Sequence, residues 1–111
     1  MAEVIKEKGW EIELTKQTRD GGFDILAIRT TSPGFTIKMV IECKLYGVGN
    51  AVGCPMVDRI VGVARREHAD AAMIITNSRF TNVAWERWQE ATKRDLTLVD
   101  REELFRWLRE S

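Results

Sequence analysis

The 111-residue sequence is short of the residues that build stapled or metal-knotted scaffolds: it has two cysteines, two prolines, one histidine and one tyrosine. Cys43 and Cys54 are too few for a disulfide framework, and neither stands in a CxxC or Cys/His spacing that would hold zinc. Reduced, buried thiols are the expectation. Long hydrophobic runs are missing as well. The longest, such as Ala71–Ile75, hold four or five residues, against roughly 20 needed to cross a bilayer. The opening MAEVIKEKGW is amphipathic and charged rather than a basic start followed by an apolar run, which argues against a secretory signal. The expected location is the cytoplasm, with no membrane partner. An excess of charge of one sign is also lacking, since 17 Lys+Arg balance 17 Asp+Glu for a net charge of +0. Both halves of the chain are balanced too, so neither a basic nor an acidic tail is present. A nucleic-acid-binding face, if there is one, has to be local, with acidic residues on other faces or at a metal. There is no internal repeat and no low-complexity segment. With 44% hydrophobic and 31% charged residues, the chain reads as one globular domain spanning 1–111.

Within those limits the pattern of elements is legible. Ala2–Lys8 reads as a short helix stopped by Gly9, followed by strands over Trp10–Leu14 and Phe23–Arg29. A turn at Thr30–Gly34, containing Ser32-Pro33-Gly34, leads into the clearest signal in the chain. Phe35, Ile37, Met39, Ile41, Cys43 and Leu45 alternate with Thr36, Lys38, Val40, Glu42 and Lys44, the two-residue period of a strand. The first set is expected to pack on helices, so Glu42 and Lys44 project together from the other face. After a flexible stretch, Tyr46–Cys54, Pro55 opens a helix with Met56, Ile60, Val63 and Ala64 as its buried stripe. Asp58, Arg59, Arg65 and Arg66 are placed on its outer side. Ala71–Thr76 reads as a buried, parallel strand, and Thr81 caps a helix that runs to Asp95 with Trp85 and Trp88. Leu96–Val99 is the last strand, and Asp100 caps a final helix carrying Leu104, Trp107 and Leu108.

The turn at 30–34 makes the second and third strands antiparallel, so Asp24 and Glu42 meet at one end. If Arg29 pairs with Phe35, Val40 lies opposite Asp24, and a slip of two residues sets Glu42 there instead. Directly opposed residues have Cβ atoms about 4.5–5.5 Å apart. Two carboxylates that close repel without a cation. Oxygen ligation by two carboxylates, with room for water and phosphate, is how Mg²⁺ is usually held. An ammonium beside it, here Lys44, can orient or deprotonate an attacking water or offset charge on phosphate. The chemistry indicated is metal-assisted phosphodiester hydrolysis. Taken alone, Asp24 reads as a turn aspartate after Gly21-Gly22, and Glu42 with Lys44 as a solvated edge strand; their combination favours the site.

Gly22-Phe23-Asp24, then seventeen residues, then Glu42-Cys43-Lys44 resembles the PD-(D/E)XK nuclease signature. In order, DGGFDILA, VIECKLY, VGCPMVDRIVGVA, AAMIITNSRFT and LTLVDREEL resemble the catalytic domain of Mrr-type restriction endonucleases over nearly the whole chain. The resemblance implies an α/β restriction-endonuclease-like fold: a central mixed sheet of about five strands flanked by helices, in the order α-β-β-β-α-β-α-β-α. It implies Mg²⁺-dependent cleavage of DNA, with Mn²⁺ as a substitute. Carried over residue by residue, Asp24 and Glu42 ligate the metal, the Cys43 backbone carbonyl adds a ligand, and Lys44 is the catalytic lysine. Many Mrr-like domains have Gln where this chain has Glu42, and members often carry an acidic residue on the first helix, for which Glu3 and Glu7 stand here. Most also attach a separate DNA-recognition domain, so target choice is expected in another domain or subunit.

Around this centre, Lys16, Arg19, Thr76, Ser78 and Arg79 are the candidate contacts to the DNA backbone, the last three near the start of a helix where N–H groups and hydroxyls bind anions. Arg59, Arg65 and Arg66 read as a solvated helix face, His68 as structural, and the four tryptophans as core rather than stacking platforms. Cleaving both strands of a duplex needs two sites, so a homodimer or larger assembly is expected. The alternatives to restriction of foreign or modified DNA are a structure-selective nuclease of the Holliday-junction type and an inactive DNA-binding or assembly module.

Overall fold

A computed structural model of the protein describes residues 1–14, 24–31, 34–47, 49–90 and 95–110. The elements follow in the expected order: α1 (Ala2–Glu7), β1 (Glu11–Leu14), β2 (Ile25–Thr31), β3 (Phe35–Lys44), α2 (Cys54–Arg66), β4 (Ala71–Thr76), α3 (Asn82–Glu90), β5 (Asp95–Val99) and α4 (Arg101–Glu110). Several boundaries move: α1 ends at Glu7 rather than Lys8, β2 runs on to Thr31 rather than stopping at Arg29, and α2 opens at Cys54 rather than Pro55. Trp10 precedes β1 rather than opening it, and Asp95 belongs to β5 rather than to the end of the preceding helix. Asp95 lies beside Ala71 in a parallel ladder, so pairing with β4 decides its state. The expected start of the second strand at Phe23 falls outside the described residues.

The five strands form one sheet in the order β1-β2-β3-β4-β5. β1, β2 and β3 are antiparallel neighbours, whereas β3, β4 and β5 run parallel. Parallel neighbours need a crossover, and α2 and α3 supply the two here. Helices therefore cover both faces, and the sheet's alternation sorts the core into two layers. Val40, Ala72, Ile74, Leu96 and Leu98 join Val57, Ile60, Val63 and Ala64 of α2 and Ala84 of α3. Ile25, Ala27, Met39, Ile41, Ile75 and Val99 pack with Ile5 of α1 and Leu104 of α4. This corrects the expectation that β3 has one apolar and one open face. β3 is a central strand, and the side that carries Val40 and Glu42 lies under α2. The tryptophans pack as expected: Trp85 and Trp88 against the first layer, Trp10 and Trp107 against the second.

The punctuation follows local chemistry. Gly9 ends α1 at φ 93°, a left-handed backbone that glycine adopts without strain. Thr81 Oγ1 accepts the Ala84 N–H at 3.0 Å and Asp100 Oδ1 accepts the Glu103 N–H at 3.1 Å, so both expected N-caps form. Lys38 Nζ donates to the Glu67 carbonyl at 2.7 Å, tying the end of α2 to β3. The stretch after β3 is less free than its glycines suggest. Val52 is buried, donates its N–H to the Arg79 carbonyl at 2.8 Å and accepts from the Thr81 N–H at 2.9 Å, while Gly47 N–H donates to Asn77 Oδ1.

Ile74 is fully buried at the centre of the sheet. Ile74→Ala should lower unfolding free energy by about 2–5 kcal/mol, and Asp100→Ala by about 1 kcal/mol through the lost cap. Denaturant titration checks both, and an Ile74→Ala loss below that of the cap variant would contradict this account of the core.

Candidate active site

The β2–β3 hairpin fixes the site. Thr31, not Arg29, pairs with Phe35, and Arg29 pairs with Ile37. The ladder reaches Ile25 beside Ile41, so one further residue sets Asp24 against Glu42, the register reached by a slip of two. Asp24 N–H donates to the Ile41 carbonyl at 3.0 Å, and Asp24 Oδ2 accepts the Cys43 N–H at 2.7 Å. The Asp24 carboxylate is thus anchored to the backbone one residue beyond Glu42.

Glu42 is far from a solvated edge: its side chain is 1% exposed. Burying an ionised carboxylate is costly unless cations and donors meet it. Two cations do. Lys44 Nζ lies 3.1 Å from Glu42 Oε1, and Arg59 NH1 of α2 lies 3.2 Å from the same oxygen. Glu42 Oε2, also buried, has no hydrogen-bond partner. A two-residue step along β3 gives Lys44 the same face as Glu42, and the parallel ladder sets Lys44 beside Thr76.

Arg59 is the residue that sequence reasoning misplaced on the solvated helix face. Its signal was present, because a position three after Met56 and one before Ile60 falls on the margin of the buried stripe. Arg65 and Arg66 are exposed, as expected. Thr76 is fully buried, and its hydroxyl accepts the Ser78 N–H at 3.1 Å, closing a turn. Ser78 is buried as well, and its carbonyl accepts the Arg101 N–H. Arg79 is the exposed member of this trio and lines a recess with Gly49, Asp100, Arg101 and Glu102. Lys16 and Arg19 lie outside the described residues. Glu3 is exposed and pairs with Lys6 at 3.9 Å, while α1 sends Ile5 into the layer opposite Glu42.

The donor set fits a hard divalent cation. Carboxylates of Asp24 and Glu42 and the backbone carbonyl of Cys43 are all oxygen donors, and the unpartnered Glu42 Oε2 is a buried acceptor that a cation would satisfy. Among the described residues, no group of three or more His, Cys, Asp or Glu side chains is placed to hold a metal ion. The Cys43 thiol belongs to the opposite layer. Burial first, then the negative charge of Asp24, pushes it up from 9.0 to about 11.

Comparison with known proteins supplies the family and the fold. A family model described as restriction endonuclease, that of the Mrr catalytic domain, matches residues 1–108. The chain belongs to the Mrr-type restriction endonuclease family. This Mrr-type domain is similar to the DNA modification-dependent restriction endonuclease AspBHI, with a TM-score of 0.72 and 28% identity over 91% of this chain and 26% of that one. It shares its fold with the restriction endonuclease MspJI, solved with a 27-mer oligonucleotide, at a TM-score of 0.68 and 20% identity over 93% of this chain and 24% of that one. It likewise shares it with AF1548, a protein of unknown function, at 0.64 and 18% identity over 87% and 53%. The uncharacterized protein y4cE of Sinorhizobium fredii (strain NBRC 101917 / NGR234) is 26% identical over 104 residues, 94% of this chain and 26% of y4cE. The Mrr-type domain thus spans about a quarter of y4cE, AspBHI and MspJI.

A raised thiol pKa means less thiolate at a given pH, so in a Cys54→Ser variant Cys43 should alkylate at pH 8 about 100-fold more slowly than an unperturbed thiol. Asp24→Asn should speed it by removing a neighbouring negative charge. The same shift makes the fold lose stability as pH rises from 9.0 through about 11. Alkylation followed by mass spectrometry checks the rate, and a Cys43 rate matching a free thiol would contradict this burial.

Proposed function

We propose that this chain is the catalytic domain of a metal-dependent DNA endonuclease, hydrolysing phosphodiester bonds in restriction of foreign or modified DNA. The observation that carries the reading is the placement of Asp24, Glu42 and Lys44 at one end of the β2–β3 hairpin, with Glu42 Oε2 buried and unpartnered. Asp24, Glu42 and the Cys43 carbonyl would hold Mg²⁺, or Mn²⁺ in its place. When bound, the ion supplies Lewis-acid stabilisation of phosphate charge and eases deprotonation of the attacking water. The Cys43 N–H keeps the Asp24 carboxylate from swinging away. Lys44, 3.1 Å from Glu42, is close enough to orient that water or to donate to a phosphate oxygen as negative charge builds. Arg79, with Lys16 and Arg19, would contact the DNA backbone.

Target choice is assigned to a separate recognition domain or subunit, since the chain spans 26% of AspBHI, whose name states dependence on modified DNA. Two sites are needed to cut both strands, which favours a homodimer or larger assembly acting in the cytoplasm. A second reading, a DNA-binding or assembly module without cleavage, is favoured by one observation: Glu42 already has two cationic partners.

Supercoiled-plasmid cleavage with Mg²⁺ or Mn²⁺ separates these readings, on methylated, unmethylated and junction-containing DNA. Nicking or linearisation is expected, strongest on modified DNA, with Lys44→Ala slower by about 10²–10³-fold. Preference for the junction would point to structure-selective cleavage. No activity above the Lys44→Ala background would leave the binding module in its place.

A further inference from the structure

The two oxygens of Glu42 are treated unequally. Lys44 Nζ and Arg59 NH1 both converge on Oε1, and Oε2 is buried without a partner. Lys44 offsets one carboxylate of the Asp24–Glu42 pair. Arg59, delivered by a different element, offsets the second, so these four groups sum to zero charge with no ion bound. A guanidinium stays protonated in any protein environment, so it is a constant counter-ion even where an ammonium must move or transfer a proton.

Resting on the nuclease reading above, we infer that Arg59 is the resident counter-ion of Glu42: it competes with the divalent cation for this carboxylate and turns to substrate phosphate once displaced. Its hold suits release. The Arg59–Glu42 contact uses one nitrogen at 3.2 Å, longer than the roughly 2.7–2.9 Å of a tight charge-assisted bond. On the same helix, Asp58 makes a closer contact, both of its oxygens accepting from Arg87 NH1 at 2.7 Å. The Arg59 side chain is 32% exposed, so it can leave Glu42 without opening the core. Glu42 retains Lys44 meanwhile and is never stranded as an unpaired buried charge. With the ion bound, Asp24, Glu42, Lys44 and the ion sum to one positive charge, and the displaced Arg59 carries a second to the phosphodiester as it gains negative charge in its transition state.

Mn²⁺ titration of the full chain, followed by calorimetry and by the electron paramagnetic resonance of free Mn²⁺, tests the inference without DNA. Arg59→Met should bind Mn²⁺ more tightly by on the order of tenfold, the scale of removing one like charge from a partly buried site. Arg59→Gln should do the same and provides the test if the Met variant fails to fold, whereas Arg59→Lys should stay near wild type. In plasmid cleavage, Arg59→Met should lose turnover by about 10²-fold while KM changes little, a split between tighter metal and slower chemistry that damage to the fold does not produce. Unchanged or weaker Mn²⁺ binding in the charge-removing variants overturns the role of Arg59. If wild type binds Mn²⁺ and Asp24→Asn abolishes it, the nuclease reading survives that result; if wild type binds none, both fall together.

Discussion

A carboxylate under a helix is the constraint around which this structure is arranged. Glu42 sits on the central strand, beneath α2. Withdrawing its charge from water costs several kcal/mol even after relaxation. The fold meets that cost from two directions, with Lys44 two residues along the same strand and Arg59 from the covering helix. Their geometry depends in turn on where α2 lies. Its buried stripe of Val57, Ile60, Val63 and Ala64 seats it on Val40, Ile74 and the neighbouring strands. Lys38 holds its far end through the Glu67 carbonyl, and Asp70 closes the exchange by accepting the Lys38 N–H at 2.9 Å. Shifting α2 would strip Glu42 of a partner and leave a buried charge half compensated. Packing of the apolar layer and electrostatics of the site are therefore one problem with one solution.

The same burial explains how far the sequence could be read. Two-residue alternation in Phe35–Lys44 and caps at Thr81 and Asp100 are local signals, and the elements they imply all form. Asp24 facing Glu42 needed only a hairpin and a choice between registers two residues apart, because a slip of one would turn every side chain of β3 to the wrong layer. What stayed hidden were facts set by the second covering layer. No local pattern says that β3 is central rather than open on one side, so Glu42 read as half-solvated when it is fully buried. Arg59 read as surface for the same reason, since its partner lies seventeen residues away on another element. Asp95 was pulled into a strand by pairing with β4, a contact that helix periodicity cannot register. Thr76 is buried beside Lys44 in the β3–β4 ladder, a placement that only the sheet's pairing reveals.

Membership in the Mrr-type family places this chain among proteins whose restriction-endonuclease fold is one part of a longer whole. It spans about a quarter of y4cE, AspBHI and MspJI. The net charge of the chain is +0. A neutral total leaves room for a local cluster of cations at one site. Lys44 and Arg59, both on Glu42, form such a cluster.

The central claim is that Asp24 and Glu42 form an oxygen-donor site for a divalent cation, completed by the Cys43 carbonyl. Anomalous diffraction from crystals of this chain grown with Mn²⁺ measures that directly. The account predicts a single strong peak within about 2.0–2.4 Å of oxygens from Asp24, Glu42 and Cys43, absent from crystals of Asp24→Asn. A Mn²⁺ peak elsewhere, or none at this position while Lys44 and Arg59 keep their hold on Glu42, would contradict it.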